Sequence, residues 1–538
     1  MDNRLLLAAR LPQKATIGVS NPNGFDSFTT LEDFIARWKR TDKTYITCIV
    51  GNNYNITQAI ALGDIDEINF ATDRTTYSFT SGAKHIAYNE KPLLIKGWGN
   101  DPNGSYTTIG TVTLYADGRK VTFKDIISNS QIYAGKLNEA TKGDLTLINF
   151  ATDKQAQYFC GVVNGTSITY NDELKAEVID SHRIVNGAVN KMSVYAGFLN
   201  GTANFTCLKP IKVHWKGGNA NIVLCAPQYS TNTSAVQSIT IGRTELVIDS
   251  GSLGSASGGP NVTSSTKSFT TQGTDIIING GTFSNAVTTC GVSNKSQCTV
   301  NGDCSLTING GTFNGSVYGG IAPYATGGRY CENAVINGNI TITLNGGTFT
   351  RVVSGGGGDF NQINGNIFMD IGPSALFTNS ESFFNGGSVS GTFEEPYCTG
   401  TKKLRVRNST EIKHAMPQGS FNEIEIAGGY TPTFTSFDLS RSELKVHTSA
   451  HPTFTNETWL QTITLIEDEG ATSGTFVSFT NGFTPNADGD EYDFKVYVEQ
   501  NGAKTQATKV SDFEYVTDDF TIELAQDCTS ISYRRNEI

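Results

Sequence analysis

Leu306-Thr307-Ile308-Asn309-Gly310-Gly311-Thr312-Phe313 is the stretch whose reading decides the fold. Leu306 and Ile308 alternate with polar neighbours, the period-two pattern of a strand with one buried face. Asn309-Gly310-Gly311 then supplies a corner, and Phe313 returns to the apolar face. The block Asn-Gly-Gly-Thr-Phe occurs at 279–283, 309–313 and 345–349, spaced by 30 and 36 residues. A longer frame travels with it. Val300-Asn301-Gly302-Asp303 precedes the second copy and Ile336-Asn337-Gly338-Asn339 the third, while Ile363-Asn364-Gly365-Asn366 opens a degenerate unit 27 residues on. Thirty residues before Ile278 lies Ile248-Asp249-Ser250-Gly251-Ser252-Leu253, which makes about five successive repeats.

A period near 30 fits three short strands and three turns, one full coil of a parallel β-helix rising by a strand spacing of about 4.8 Å. Equivalent positions then stack. Ile248, Ile278, Ile308 and Leu344 are expected inside, with Thr307 pointing out. Asp249, Asn279, Asn309 and Asn345 are expected in a corner column, where amides can bond along the stack. The corner glycines supply positive φ. A leucine-rich solenoid is excluded because its LxxLxL spacing is absent, and a propeller would need longer blades.

The sequence therefore predicts a mostly β chain: a right-handed parallel β-helix over 45–400, clearest over 236–390. Ahead of it, 1–44 reads as an arm followed by a capping helix over Thr29–Trp38, with Thr29 as N-cap and Glu32 completing a capping box. Two fragments recur in the first half: Ile68-Asn69-Phe70-Ala71-Thr72-Asp73 matches 148–153, and Tyr133-Ala134-Gly135-Lys136-Leu137-Asn138 nearly matches 195–200. Beyond Gly400 the glycine repeats stop. Alternating runs such as Glu423-Ile424-Glu425-Ile426 and Glu443-Leu444-Lys445-Val446 predict a C-terminal β domain over 401–538, either a sandwich or terminal coils.

Composition agrees with many short strands: 57 glycines against 14 prolines and 17% charged residues in 538. The net charge of −11 and the lack of a basic stripe argue against nucleic acid. No apolar run is long enough to insert in a membrane. The apolar run after Arg4 is closed by Arg10 and is too short for a secretory signal. Ten cysteines without a CxxC pair predict buried free thiols in a reducing compartment. A metal site in the cluster Cys290, Cys298, Cys304, Cys331 is disfavoured because zinc sites usually show a close ligand pair. No cofactor is expected.

Leu93-Leu94-Ile95-Lys96-Gly97-Trp98-Gly99 and Val121-Thr122-Phe123-Lys124-Asp125-Ile126, followed by the Asn-Gly-Gly-Thr-Phe coils, resemble the right-handed β-helix superfamily that includes pectate lyases and phage tailspikes. With Val317-Tyr318-Gly319-Gly320, the coils are also similar to repetitive proteins of gut bacteria and their phages. The resemblance covers roughly 90–390 and concerns residues that build coils, so it speaks to fold more than to function. It implies a homotrimer, the state that β-helical phage spikes share.

Polysaccharide cleavage on such a scaffold needs carboxylates converging on one face. The repeats offer Asp249, Asp275, Asp303, Asp359 and Asp370, at offsets that do not align on adjacent coils. No catalytic residue is assigned; the acidic segments 64–67 and 172–173 read as solvated loops. Asn486-Ala487-Asp488-Gly489-Asp490-Glu491-Tyr492-Asp493 is dense in oxygen ligands, which makes Asp488, Asp490 and Asp493 the candidate calcium ligands, although EF-hand spacing is missing. Tyr318, Tyr324 and Tyr330, near the insertion that lengthens the third coil, are candidates for stacking on sugar rings.

The expected function is a bacteriophage virion structural protein, a tail fibre, tailspike or head fibre, assembled in the host cytoplasm. It would attach to the host surface and contact other virion proteins and a host cell-surface glycan. A β-helical polysaccharide depolymerase and a bacterial surface adhesin are the alternatives.

Overall fold

The computed structural model of the protein describes strand segments between 13 and 109, most of 114–262 and most of 268–537; stretches outside the description include 29–45, 51–66, 230–237, 324–333 and 386–397. The helix expected over 29–38 lies outside the described residues, which hold strands and turns and no helix. The chain forms two compact units, Met1–Gln272 and Gly273–Ile538.

In the first unit, successive strands pair in parallel in one ladder: Gln13–Ile17, Ile46–Val50, Glu67–Phe70, Leu93–Lys96, Val121–Ser128, Gly143–Thr152, Leu174–Ile179, Ile211–Trp215 and Thr244–Ile248. Register carries one position through it: Ile95, Phe123, Leu147, Val178, Trp215 and Ile248 stand in a single column, all buried. Period-two alternation makes this work, because a slip of one residue would turn every apolar side chain outward. A second parallel ladder joins Met192–Asn200, Asn219–Tyr229 and Ser252–Ser257, and a third joins Ile168–Tyr170, Phe205–Cys207, Ser238–Ile241 and Ser268–Thr271. Three strands per repeat are what a period near 30 requires.

Two residues past the buried column the chain turns. Asp125, Asn149 and Asp180 hold φ of 57°, 45° and 46° there, the left-handed region that Asp and Asn tolerate best among residues with a Cβ. Asn149 Nδ2 also donates to Asp125 Oδ1 at 2.9 Å. The recurring tyrosines have a structural meaning as well, since Tyr133 and Tyr195 share one buried cluster with Tyr115. The other recurring fragment does not mark equivalent places. Ile68 shares its column with Leu147, one residue short of Ile148.

The second unit repeats the plan. Thr274–Ile278, Cys304–Ile308, Ile340–Phe349, Ile367–Phe377, Lys402–Val406, Glu423–Ile426, Glu443–His447, Thr462–Ile466 and Lys495–Gln500 form one parallel ladder. Ile278, Ile308, Leu344, Ile371, Val406, Ile426, Val446, Leu465 and Val498 make its buried column. The ladder passes residue 401 unbroken. What changes there is length: column positions 406, 426, 446 and 465 lie 20, 20 and 19 residues apart. Of the two arrangements expected over 401–538, parallel stacking continues as far as Lys495–Gln500. That strand then pairs antiparallel with Ala503–Gln506 across the turn Asn501-Gly502, with φ of 50° and 79°. Antiparallel pairs also join Ser473–Phe479, Ser530–Arg535, Phe520–Leu524, Glu514–Val516 and Thr508–Ser511.

Phenylalanines stack inside this unit. Phe283, Phe313, Phe349 and Phe377 follow one another with ring centroids 4.9, 4.9 and 5.4 Å apart, and Phe434, Phe454 and Phe479 do the same at 4.7 and 5.5 Å. The Asn-Gly-Gly corner turns at Gly281, Gly311 and Gly347, with φ of 105°, 110° and 106°. The Ile-Asn-Gly-Asn frame needs glycine for another reason: a Cβ on Gly365 would lie 2.1 Å from the carbonyl oxygen of Gly338 in the repeat below.

Candidate binding surface

The corner column of the second unit is a chain of amide bonds. Asn309 Nδ2 donates to Asn279 Oδ1 and Asn345 Nδ2 to Asn309 Oδ1, each at 2.9 Å, on the exposed side of the strands. Asp249 belongs to the first unit, where His214 Nε2 lies 2.8 Å from its carboxylate. A second ladder, which the sequence reading did not foresee, runs through the Ile-Asn-Gly-Asn frame. Asn337 Nδ2 donates to Asn301 Oδ1 at 3.1 Å and Asn364 Nδ2 to Asn337 Oδ1 at 2.7 Å. Beside it, Asp303, Asn339 and Asn366 each accept the backbone N–H of Asn339, Asn366 and Thr401 in turn, at 2.7, 2.9 and 2.8 Å.

The acids of the repeats are used in the same way. Ser305 Oγ donates to Asp275 Oδ1 at 2.6 Å, and Arg407 grips both oxygens of Asp370 at 3.0 Å. Asp359 lies outside the described residues. In the first unit Glu173 pairs with Lys175 and Lys212 at 2.7 and 2.8 Å.

Past residue 401 the outward face of the ladder becomes a lattice of ion pairs. Glu423 is shared by Lys403 and Lys445 at 3.2 and 3.3 Å, and Arg405 reaches Glu425 at 3.2 Å. Lys504 reaches Glu443 at 2.6 Å and lies over the Tyr497 ring at 4.2 Å. His447 sits between carboxylates, with Nδ1 2.7 Å from Asp468 and Nε2 3.7 Å from Glu425. Contact with Glu425, and then Asp468, raises the imidazole pKa against the opposing effect of burial. The His447 contact lowers Glu425 in return. Asp468 is also lowered: burial would raise it, and its bonds to His447 and Ser449 outweigh that.

The aromatic candidates are placed in part. Tyr318 is half-buried on Val317–Tyr318, in register between Thr288 and Ser354; Tyr324 and Tyr330 lie outside the described residues. The structure adds Trp459, 49% exposed on the strand Thr458–Leu460 beside Thr484. Trp459 stands between Thr458 and Leu460, which are both buried, so its own side chain faces outward.

Of the calcium candidates, the backbone of Asp488 is in the strand Ala487–Asp488, paired with Glu491–Tyr492; Asp490 and Asp493 lie outside the described residues. Among the described residues no group of three His, Cys, Asp or Glu is placed to hold a metal ion. Cys207, Cys225, Cys290, Cys298 and Cys304 are buried free thiols, and burial pushes the thiol of Cys207 up to about 11 and that of Cys225 to about 12. Cys331 lies outside the described residues. Compared with known proteins, no family model, curated protein or solved structure matches this chain.

Proposed function

We propose that this chain is a structural and binding protein, a bacteriophage virion component of the fibre or spike kind that attaches to a host-surface glycan, and that its parallel strands wind as right-handed β-helices. Handedness follows from a general rule: connections between parallel strands of one sheet are right-handed in about 98% of cases. The observation that carries the functional reading is the use to which the repeat's acids are put. Asp275, Asp303 and Asp370 each bond to a side chain or backbone group of another repeat, as construction requires. Glycan cleavage needs carboxylates facing substrate with shifted pKa values.

Tyr318 and the exposed indole of Trp459 are aromatic surfaces suited to stacking on a sugar ring. The test is incubation with purified bacterial surface polysaccharides, reading both binding and new reducing or unsaturated ends. Binding without product is expected, and Trp459→Ala should weaken it. Steady product release abolished by one acidic substitution would overturn the reading in favour of a depolymerase. Mass spectrometry of purified virions tests the location, and absence of the chain from them would remove the virion assignment.

A further inference from the structure

The interior of the second unit holds a close pair of thiols that the proposed function does not use. Cys290 follows the strand Val287–Thr288 and Cys304 opens the strand Cys304–Ile308, 14 residues apart in sequence. Their Sγ atoms are 2.8 Å apart, with the residues 0% and 1% exposed. Around them are Thr289 Oγ1, 3.1 Å from Cys290 Sγ, and the Gly319 carbonyl oxygen, 3.8 Å away. One repeat on, Ile340 stands where Cys304 does and Gly320 where Cys290 does. The earlier repeat therefore holds two thiols where the next holds an isoleucine and a glycine. A disulfide bond is about 2.05 Å long, so closure asks the two sulfurs to approach by about 0.8 Å.

We propose that Cys290 and Cys304 form an intrachain disulfide when the chain folds or is held with a low-molecular-weight disulfide such as oxidised glutathione. One cysteine thiolate attacks the glutathione disulfide, forming a mixed disulfide and releasing one glutathione thiolate. The second cysteine attacks the protein sulfur of that mixed disulfide, expelling the other glutathione. Two protons leave the cysteines and end on two glutathione thiols, so the oxidant is reduced as the protein bond forms. Because both sulfurs are buried, exchange takes place during folding or local opening, and the closed bond is then shielded from solvent.

The test is to refold the full chain with oxidised glutathione, alkylate under denaturing conditions and map the peptides. Cleavage after Lys295 and before Asp303 puts Cys290, Cys298 and Cys304 on separate peptides. A peptide pair linked through Cys290 and Cys304, lost on reduction, is expected. The oxidised protein should also melt on the order of a few degrees higher than the reduced one, a difference that Cys304→Ala removes. Full alkylation of both cysteines, or a link from either to Cys298 or Cys331 instead, would overturn the proposal. The mapping uses the unaltered chain, so it stands even where a variant folds poorly.

Discussion

Asn408 is fully buried and spends its whole amide: Nδ2 donates to the carbonyls of Gly372 and Ala375 at 2.7 and 2.8 Å, and Oδ1 accepts the N–H of Thr410 at 2.6 Å. Asn408→Leu strands two buried carbonyls and the part-buried N–H of Thr410 at about 1–3 kcal/mol for each buried group, so a loss of about 3 kcal/mol is expected in urea unfolding. Asn309 bonds similarly but in water's reach. Asn309→Leu should cost about 1–2 kcal/mol, because solvent takes over part of what the ladder loses. Thr307→Ala, on the outward face, should stay within about 0.5 kcal/mol. Equal midpoints for the Asn309 and Thr307 variants would contradict the register. The Asn309 column was legible because it recurs at the spacing of the repeat and follows a buried isoleucine. Asn408 was not, since Arg407-Asn408-Ser409 has no copy elsewhere in the chain and its partners are backbone groups, which a sequence does not distinguish.

Stacked side chains tie neighbouring strands together, and the phenylalanine column tests how strongly. Phe313 is in contact above and below, and Phe313→Ala should cost about 3–5 kcal/mol through lost burial and the cavity left behind. Phe313→Leu should cost distinctly less, and equal losses would show that the column packs loosely. On the outward face, His447 gives a pH signature. Its pKa is raised on folding, so its contribution is fully present below its unfolded value of about 6.5 and fades as pH rises through the folded value. Glu425 and Asp468 are lowered, so theirs is present at neutral pH and fades as acid reaches their folded values. The urea midpoint should therefore fall from pH 6 to pH 8 in the native chain, and His447→Gln should flatten that limb. An unchanged slope in the variant would remove His447 from the account. These strands were legible one by one from their alternation. Their parallel stacking was not, because past residue 401 the spacing drops from about 30 to about 20 and the Asn-Gly-Gly corners that had marked the repeat stop. A change of period hides a fold that persists.

The whole chain carries a net charge of −11, which favours solubility and leaves assembly to specific surfaces. The proposed spike role carries the expectation of a homotrimer, and sedimentation velocity at micromolar concentration should return three times the mass of the 57.8 kDa chain. A monomer there would withdraw it. The candidate site was less legible than the fold, since repetition announces stacking positions whereas Trp459 occurs once and stands out only when its surroundings are known. A parallel ladder is a template: its last strand offers unpaired amides to any extended chain that arrives, which is the growth step of amyloid. In the second unit Lys495–Gln500 is covered by Ala503–Gln506, folded back through Asn501-Gly502 and anchored by Lys504 on Glu443. That short hairpin occupies the edge of the last parallel strand. Gly502→Val strains the φ of 79° that the turn demands, and the variant should seed thioflavin-positive fibres at concentrations where the native protein stays clear.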